Sequence, residues 1–288
     1  MLEVLHRSKS RLPAWSPWVV VAAMVVLIAV SWLPALDLPL GDNHEGRILG
    51  RFGLQVRNFQ ELGMTGSGLA SDWSPYAGSN YAHHPPLVNG LHVAIASIFG
   101  IGEWQLRLLG YVSGLVTIIG MVVLLRDLRI RWSAVLLAVA VTISTGYFWL
   151  FARLGLGIAL IVWTVVAIRR LVEATDPSGW LTGAAAVLSF ATVVSSWQGM
   201  ALAALLGIWL WSRRGFDRPT LIVGIAMTLA ALAVGGWIAS ASGIGSLVAH
   251  VEDRSSAVEF GVIEFVIRQF AYFWLFLPVW YLALTIPC

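Results

Sequence analysis

The chain has 288 residues, 58% of them hydrophobic and 11% charged, and a mean hydropathy of +0.81. Ordinary globular chains carry about 25% charged residues, so one soluble core is excluded as a home for this much apolar surface. The net charge of +3 and pI near 9.3 do not mark a nucleic-acid binder, because the one lysine is Lys9 and the arginines cluster between apolar runs. The single cysteine, Cys288, excludes an intramolecular disulfide and a cysteine-based metal site.

Residues 1–16 are basic and read as a cytoplasmic N-terminus. The apolar run that follows is too long for a signal peptide and lacks a small-x-small exit, so it reads as a retained signal anchor. Uncharged runs near the ~20 residues that span a bilayer predict crossings at about 17–36, 107–125, 133–151, 154–171, 180–196, 198–212, 219–241 and 266–286. The expected fold is therefore all-α, a polytopic bundle of about eight spans that makes 17–288 one transmembrane domain. With the N-terminus inside, 11 of the 18 positive charges fall on the inner side, which nets +6 against −3 outside. That asymmetry selects the orientation. Ser195-Ser196-Trp197-Gln198-Gly199 interrupts one long apolar stretch, and two short helices with an outer turn keep Arg213, Arg214 and Arg218 inside. Many of the 15 tryptophans fall near predicted ends, as an interfacial belt requires.

The first outer loop, 37–106, holds two helical segments that do not read as spans. From about 46 to 62, Ile48, Leu49, Phe52, Val56, Phe59 and Leu62 recur at three- and four-residue steps, with Arg47, Arg51 and Asn58 opposite. This predicts an amphipathic helix on the membrane surface. The segment 85–99 opens with Pro-Pro, suited to a helix start, and carries Asn89 and His92 three apart on one face, the spacing of a packing pair. Between them, the glycines and serines of 63–80 predict a flexible connector in which Asp72 is a solvated acid.

Five of the six histidines and most acids fall on the outer side. Three clusters stand out: Asp42-Asn43-His44-Glu45, His83-His84-Pro85-Pro86, and the run His250 to Arg254. A sheltered carboxylate in the first could take a proton from an attacking hydroxyl, while helix capping by Asp42 or Asn43 is the structural alternative. The prolines hold His83 and His84 extended, so the two imidazoles point apart and do not share one ion. Arg153 and Arg254 are suited to grip a phosphate, against snorkelling for the first and a loop ion pair for the second. Trp197 and Gln198 join them at the outer turn, with an interfacial tryptophan as the plain alternative.

The order of these features resembles the N-terminal module of the type C glycosyltransferases, the superfamily of protein O-mannosyltransferases and aminoarabinose transferases. The residues that carry the resemblance are Asp42-Asn43-His44-Glu45-Gly46-Arg47, Val56-Arg57-Asn58-Phe59, His83-His84-Pro85-Pro86-Leu87, Ile98-Phe99-Gly100 and Glu103-Trp104-Gln105-Leu106-Arg107-Leu108. They lie in family order on the predicted outer face. The resemblance covers about 15–170 well and 171–288 in layout only.

It implies a membrane enzyme that moves a hexosyl or pentosyl group from a polyprenyl-phosphate carrier to a hydroxyl or amine of a protein, lipid or glycan, with inversion. It also implies an extracytoplasmic site in a bacterial inner membrane and membrane lipids as surroundings. Glu45 matches the family Glu, His84 the basic residue before Pro-Pro, and His83 a position that is a metal-binding acid in some members. The family Asp aligns with His44, two residues after Asp42, so Asp42, Glu45 and His44 stand as alternative bases. His83, His84, Arg153, Arg254, Trp197 and Gln198 are the substrate-binding candidates. The resemblance fixes no cofactor, and a divalent metal stays open with Asp42, His44 and His83 as its candidate ligands. Two other classes fit less well: a transporter or flippase of lipid-linked sugars, which would place ionisable groups at span centres, and a truncated, non-catalytic module that binds carrier lipid.

Overall fold

A computed structural model describes residues 16–42, 44–75, 85–144, 156–245 and 248, with the side chains of Ser16 and His44 excepted. Hydrocarbon offers the backbone no partner but itself, which leaves the helix as the available fold for single apolar runs. Among the described residues every regular element is a helix: α1 Ser16–Leu36, α2 His44–Gly66, α3 Leu87–Phe99, α4 Glu103–Asp127 and α5 Trp132–Ser144. They continue with α6 Gly157–Glu173, α7 Gly179–Val193, α8 Trp197–Arg214 and α9 Arg218–Ala241. The all-α expectation holds.

Pro17–Leu36, Glu103–Asp127 and Arg218–Ala241 are long and apolar enough to cross a membrane. Leu87–Phe99, Trp132–Ser144 and Gly179–Val193 are shorter apolar helices. The expected span 266–286 lies outside the described residues. The break at 194–196 separates two helices, as the arginine pattern required: Ser196 caps α8, its Oγ accepting from Gly199 N–H at 3.0 Å.

The helices run in alternate directions, and side chains at their ends show it. At one end Arg170 of α6 grips Asp127 of α4 through Nε and Nη2 at 2.6 and 3.0 Å. Arg214 of α8 donates to the carbonyls of Leu171, at 3.0 Å, and Ala174, so α4, α6 and α8 finish together. Trp18 and Trp132 meet edge to face at 5.1 Å at the start of α1 and α5, with Arg126 stacked 4.5 Å above Trp132. This is the arginine-rich end. At the other, Arg107 near the start of α4 donates to Leu36 O at the end of α1, at 2.9 Å.

Three apolar clusters hold the bundle. The first joins α1, α4 and α5 through Val21, Ile28, Trp32, Ile118, Val122, Val135 and Val139. A second packs Ala167, Ile168 and Leu171 of α6 against Ala185 of α7, Leu210 of α8 and Val223 of α9. The third lies at the opposite end of α7, α8 and α9, around Val193, Ala203, Val234 and Trp237. Large aliphatic side chains such as Leu27, Val30, Leu205 and Leu232 stay exposed, as a lipid-facing surface allows.

Between helices in lipid, small residues set how closely backbones approach. A Cβ on Gly120 of α4 would sit 2.9 Å from both Trp163 Nε1 and Val162 Cγ1 of α6, where the indole N–H donates to Val116 O at 3.1 Å. Gly120→Val is expected to part α4 from α6 and to cost about 1–3 kcal/mol, as overpacked cores do. Thermal melting of the detergent-solubilised chain reads this, and an unchanged midpoint would contradict the packing.

Candidate functional site

The segment between α1 and α4 caps the bundle at the end opposite the arginine-rich one and is held by its own polar side chains. α2 runs further than the expected 46–62, from His44 to Gly66, with a break at Gly63 where φ is +72°. α3 begins at Leu87 and ends at Phe99, close to expectation. Asn58 does not lie opposite the apolar face of α2: it is buried beside Val56, and its Nδ2 donates to Asp72 O at 3.2 Å and Ser74 O at 2.8 Å.

Those bonds correct the expectation for 63–80. Residues 67–75 form a turned, anchored loop in which Ser67, Ser71 and Asp72 are fully buried. Gln55 donates to Ser71 O at 3.4 Å, Asn89 to Ala70 O at 3.1 Å and Trp237 Nε1 to Leu69 O at 3.2 Å. Asp72 is therefore no solvated acid; its Oδ1 accepts from Ser74 N–H at 3.0 Å. Leu69 and Ala70 take left-handed backbone angles, φ 58° and 63°, a conformation non-glycine residues adopt only when their surroundings hold them. Periodicity places Asn58 and Asp72 on helix faces or loops but cannot see that a loop folds back over them.

Asn89 and His92 are the packing pair expected of α3. His92 stacks on Phe52 of α2 at 4.6 Å, and its Nδ1 has no hydrogen-bond partner among the described residues. Burial lowers its pKa from 6.5 to about 4. Between those values the unfolded chain binds a proton that the folded chain does not, so stability rises with pH across the window. The contribution is complete above about pH 6.5 and lost toward pH 4, by about 3 kcal/mol at most. His92→Leu is expected to flatten the pH dependence of the melting temperature there. An unaltered slope would contradict it.

Of the acids in the first cluster, Asp42 and Glu45 have opposite surroundings. Asp42 precedes α2, its side chain is 89% exposed, and its Oδ1 pairs with Arg47 Nε at 2.8 Å. Glu45 lies in the first turn of α2 with its side chain 15% exposed, and its Oε1 stands 3.5 Å from Nε of Arg107, itself 12% exposed. The rest of the Arg107 fork is taken by backbone: Nη1 donates to Leu36 O and Leu38 O, and Nη2 to Pro39 O at 3.4 Å. Trp32, Leu36 and Tyr111 complete a cavity of about 20 Å³ against the pair, room for about one water. Tyr111 is held by a hydrogen bond to Ala29 O at 3.0 Å. One carboxylate thus faces solvent, and the other faces a fixed cation in a sheltered recess.

The turn before α8 gathers further segments at this same end of the bundle. Leu87 N–H, directly after Pro85-Pro86, donates to Val194 O at 2.9 Å. Gly157 at the start of α6 faces Ser196, where a built Cβ would meet Oγ at 3.6 Å. Trp197 is half-buried and packs on the cluster around Trp237 with Leu69 and Leu87, while Gln198 is exposed. His83, His84, Arg153, Arg254 and the side chain of His44 lie outside the described residues. Among the described residues no group of three His, Cys, Asp or Glu side chains is placed to hold a metal ion. Arg107, read from the sequence only as part of a motif, is the site residue that residue-by-residue reading missed. Its sequence signal was an arginine just inside an apolar span.

A bundle of alternating apolar helices, capped on one side by the amphipathic α2, the short α3 and an anchored loop, defines a polytopic integral membrane protein. The chain belongs to the dolichyl-phosphate-mannose-protein mannosyltransferase family, whose model matches residues 83–237, more than half of its length. The fold is similar to that of ArnT from Cupriavidus metallidurans, solved bound to undecaprenyl phosphate. That match has 18% identity and a TM-score of 0.50, and it covers 79% of this chain and 42% of that one. The apo state of the same protein matches at 19% identity and a TM-score of 0.48, covering 77% and 42%. This chain thus spans about two fifths of the solved relative. No curated protein sequence matches it.

Proposed function

We propose that the chain is the catalytic membrane module of a glycosyltransferase that moves a sugar from a polyprenyl-phosphate carrier to a hydroxyl or amine acceptor, with inversion, on the extracytoplasmic face. The observation that carries the reading is the sheltered Glu45 beside Arg107, at the end of the bundle opposite the arginine-rich one, in a chain of the mannosyltransferase family. The solved relative was crystallised with undecaprenyl phosphate, which supports a polyprenyl-phosphate donor.

In this scheme the acceptor O–H gives its proton to the Glu45 carboxylate as its oxygen attacks the anomeric carbon. The bond from that carbon to the phosphate oxygen breaks, and the electron pair leaves with the polyprenyl phosphate. The phosphate is already a competent leaving group and needs its charge neutralised more than a proton supplied. His84, Arg153 and Arg254 are the residues we assign to that task, with His83, Trp197 and Gln198 lining the carrier path. Arg107 does not join them, because its donors are committed to Glu45 and three carbonyls; it is a positioning residue. Asp42, paired in the open with Arg47, is set aside as base in favour of Glu45. The site lies in an inner membrane of bacterial type, with the N-terminus cytoplasmic.

Vesicles reconstituted with the chain and loaded with a polyprenyl-phosphate sugar labelled in the sugar separate this reading from transport. The expected result is label transferred to an acceptor with polyprenyl phosphate left behind. Intact donor crossing the bilayer, with no sugar released from its carrier, would overturn the proposal.

A further inference from the structure

The arginine-rich end of the bundle holds two neighbouring cavities that the transfer reaction does not use. An open apolar groove of about 570 Å³ runs between α8 and α9, lined by Gly207 and Trp211 on one side and Leu221, Gly224, Ile225 and Thr228 on the other. On α9 its lining extends from Thr220 to Leu229, which is about 14 Å at 1.5 Å per residue. That is close to half of a ~30 Å hydrocarbon core, the depth of one leaflet. Trp211 and Phe216, 5.5 Å apart, close its polar end with an aromatic pair of the kind found at membrane interfaces.

A polar recess of about 480 Å³ lies on the other side of the first turn of α9, lined by Asp176, Gly179, Thr182, Arg214, Arg218 and Pro219 among others. Pro219 lines the recess and Thr220 the groove, so one turn of helix separates them. Arg214 is already neutralised by Asp217 at 2.7 Å and by the carbonyls it binds. Arg218 and Asp176 are both exposed and line the same recess, yet neither has an ion pair among the described residues. Among the described residues the recess is thus lined by a cation and an anion that lack ion-pair partners, the complement of a headgroup that carries both signs.

We propose that this end of α8 and α9 binds one aminophospholipid of the surrounding leaflet, with an acyl chain in the groove, its phosphate at Arg218 and its ammonium at Asp176. A purely anionic headgroup would leave Asp176 opposed to it. The site is independent of Glu45, so its failure leaves the transferase reading untouched.

The test is native mass spectrometry of the full chain in mild detergent, titrated with phosphatidylethanolamine and with phosphatidylglycerol of the same acyl chains. Wild type is expected to retain phosphatidylethanolamine at the lower concentration. Arg218→Gln should weaken both lipids about fivefold, as one surface charge does, and Asp176→Asn should weaken phosphatidylethanolamine alone by a similar factor. Gly224→Leu fills the groove; a Cβ there meets nothing within 4 Å, so the fold tolerates it, and retention of either lipid should be lost. Equal or better retention of phosphatidylglycerol by wild type would overturn the proposal, as would unchanged binding by Asp176→Asn or Gly224→Leu. A photo-crosslinker at Ile225 that captures residues 266–286 in place of lipid would overturn it too, because the groove would then belong to the chain itself.

Discussion

Glu45→Gln is expected to reduce the rate of sugar transfer by about 10²–10⁴-fold, the span general bases contribute, while carrier binding stays near wild type. Glutamine keeps the side chain's length and leaves an oxygen that can face Arg107, so the recess formed with Trp32 and Tyr111 persists. What is lost is the ability to take a proton. Asp42→Asn should leave the rate close to wild type, because its carboxylate is exposed and engaged in a surface ion pair of the kind that contributes little. Steady-state transfer assays with both variants, read beside carrier affinity, check this. An inactive Asp42→Asn with an active Glu45→Gln would reverse the assignment of the base. Equal loss of carrier binding in Glu45→Gln would make that residue a ligand for the donor instead.

Arg107→Leu is expected to lower stability by about 3 kcal/mol and to lower turnover as well. The change leaves Glu45 sheltered without its cation, and removing one member of a buried pair costs more than the pair contributes. It also frees the carbonyls of Leu36, Leu38 and Pro39, which Arg107 gathers at the end of α1. That segment leads into Asp42 and α2, so the position of Glu45 depends on it. The double variant Glu45→Leu with Arg107→Leu should recover part of the stability and none of the turnover. Thermal melting and transfer assays on the same preparations separate the two effects. A single variant as stable as wild type would show that the arginine does not tie α1 to α4.

The helices were readable because lipid leaves an apolar run no other way to pair its backbone, and α4, α8 and α9 begin and end within a few residues of the hydropathy pattern. Arginine bookkeeping also settled a question of connectivity, since one long helix across Ser195–Gly199 would have carried Arg213 and Arg214 to the opposite side. Contacts between distant segments were not readable in the same way. Asn58 has helical spacing that fits either face, and only the returning loop at 72–74 decides that it is buried. Asp72 has the composition of a solvated turn, yet its neighbours bring Gln55, Asn58 and Asn89 to satisfy the backbone around it. The same holds for Glu45. Local sequence marks it as a helix-start acid, and its distinction from Asp42 comes from Arg107, which arrives from another helix.

The most direct measurement is the anomeric configuration of the product formed when the chain is given a polyprenyl-phosphate sugar and an acceptor alcohol. Single displacement with Glu45 as base requires a linkage inverted relative to the donor, with one polyprenyl phosphate released for each linkage made. Retained configuration would require a covalent sugar–enzyme intermediate or its equivalent and would contradict that role for Glu45, and carrier that never parts from its sugar would contradict the transferase itself.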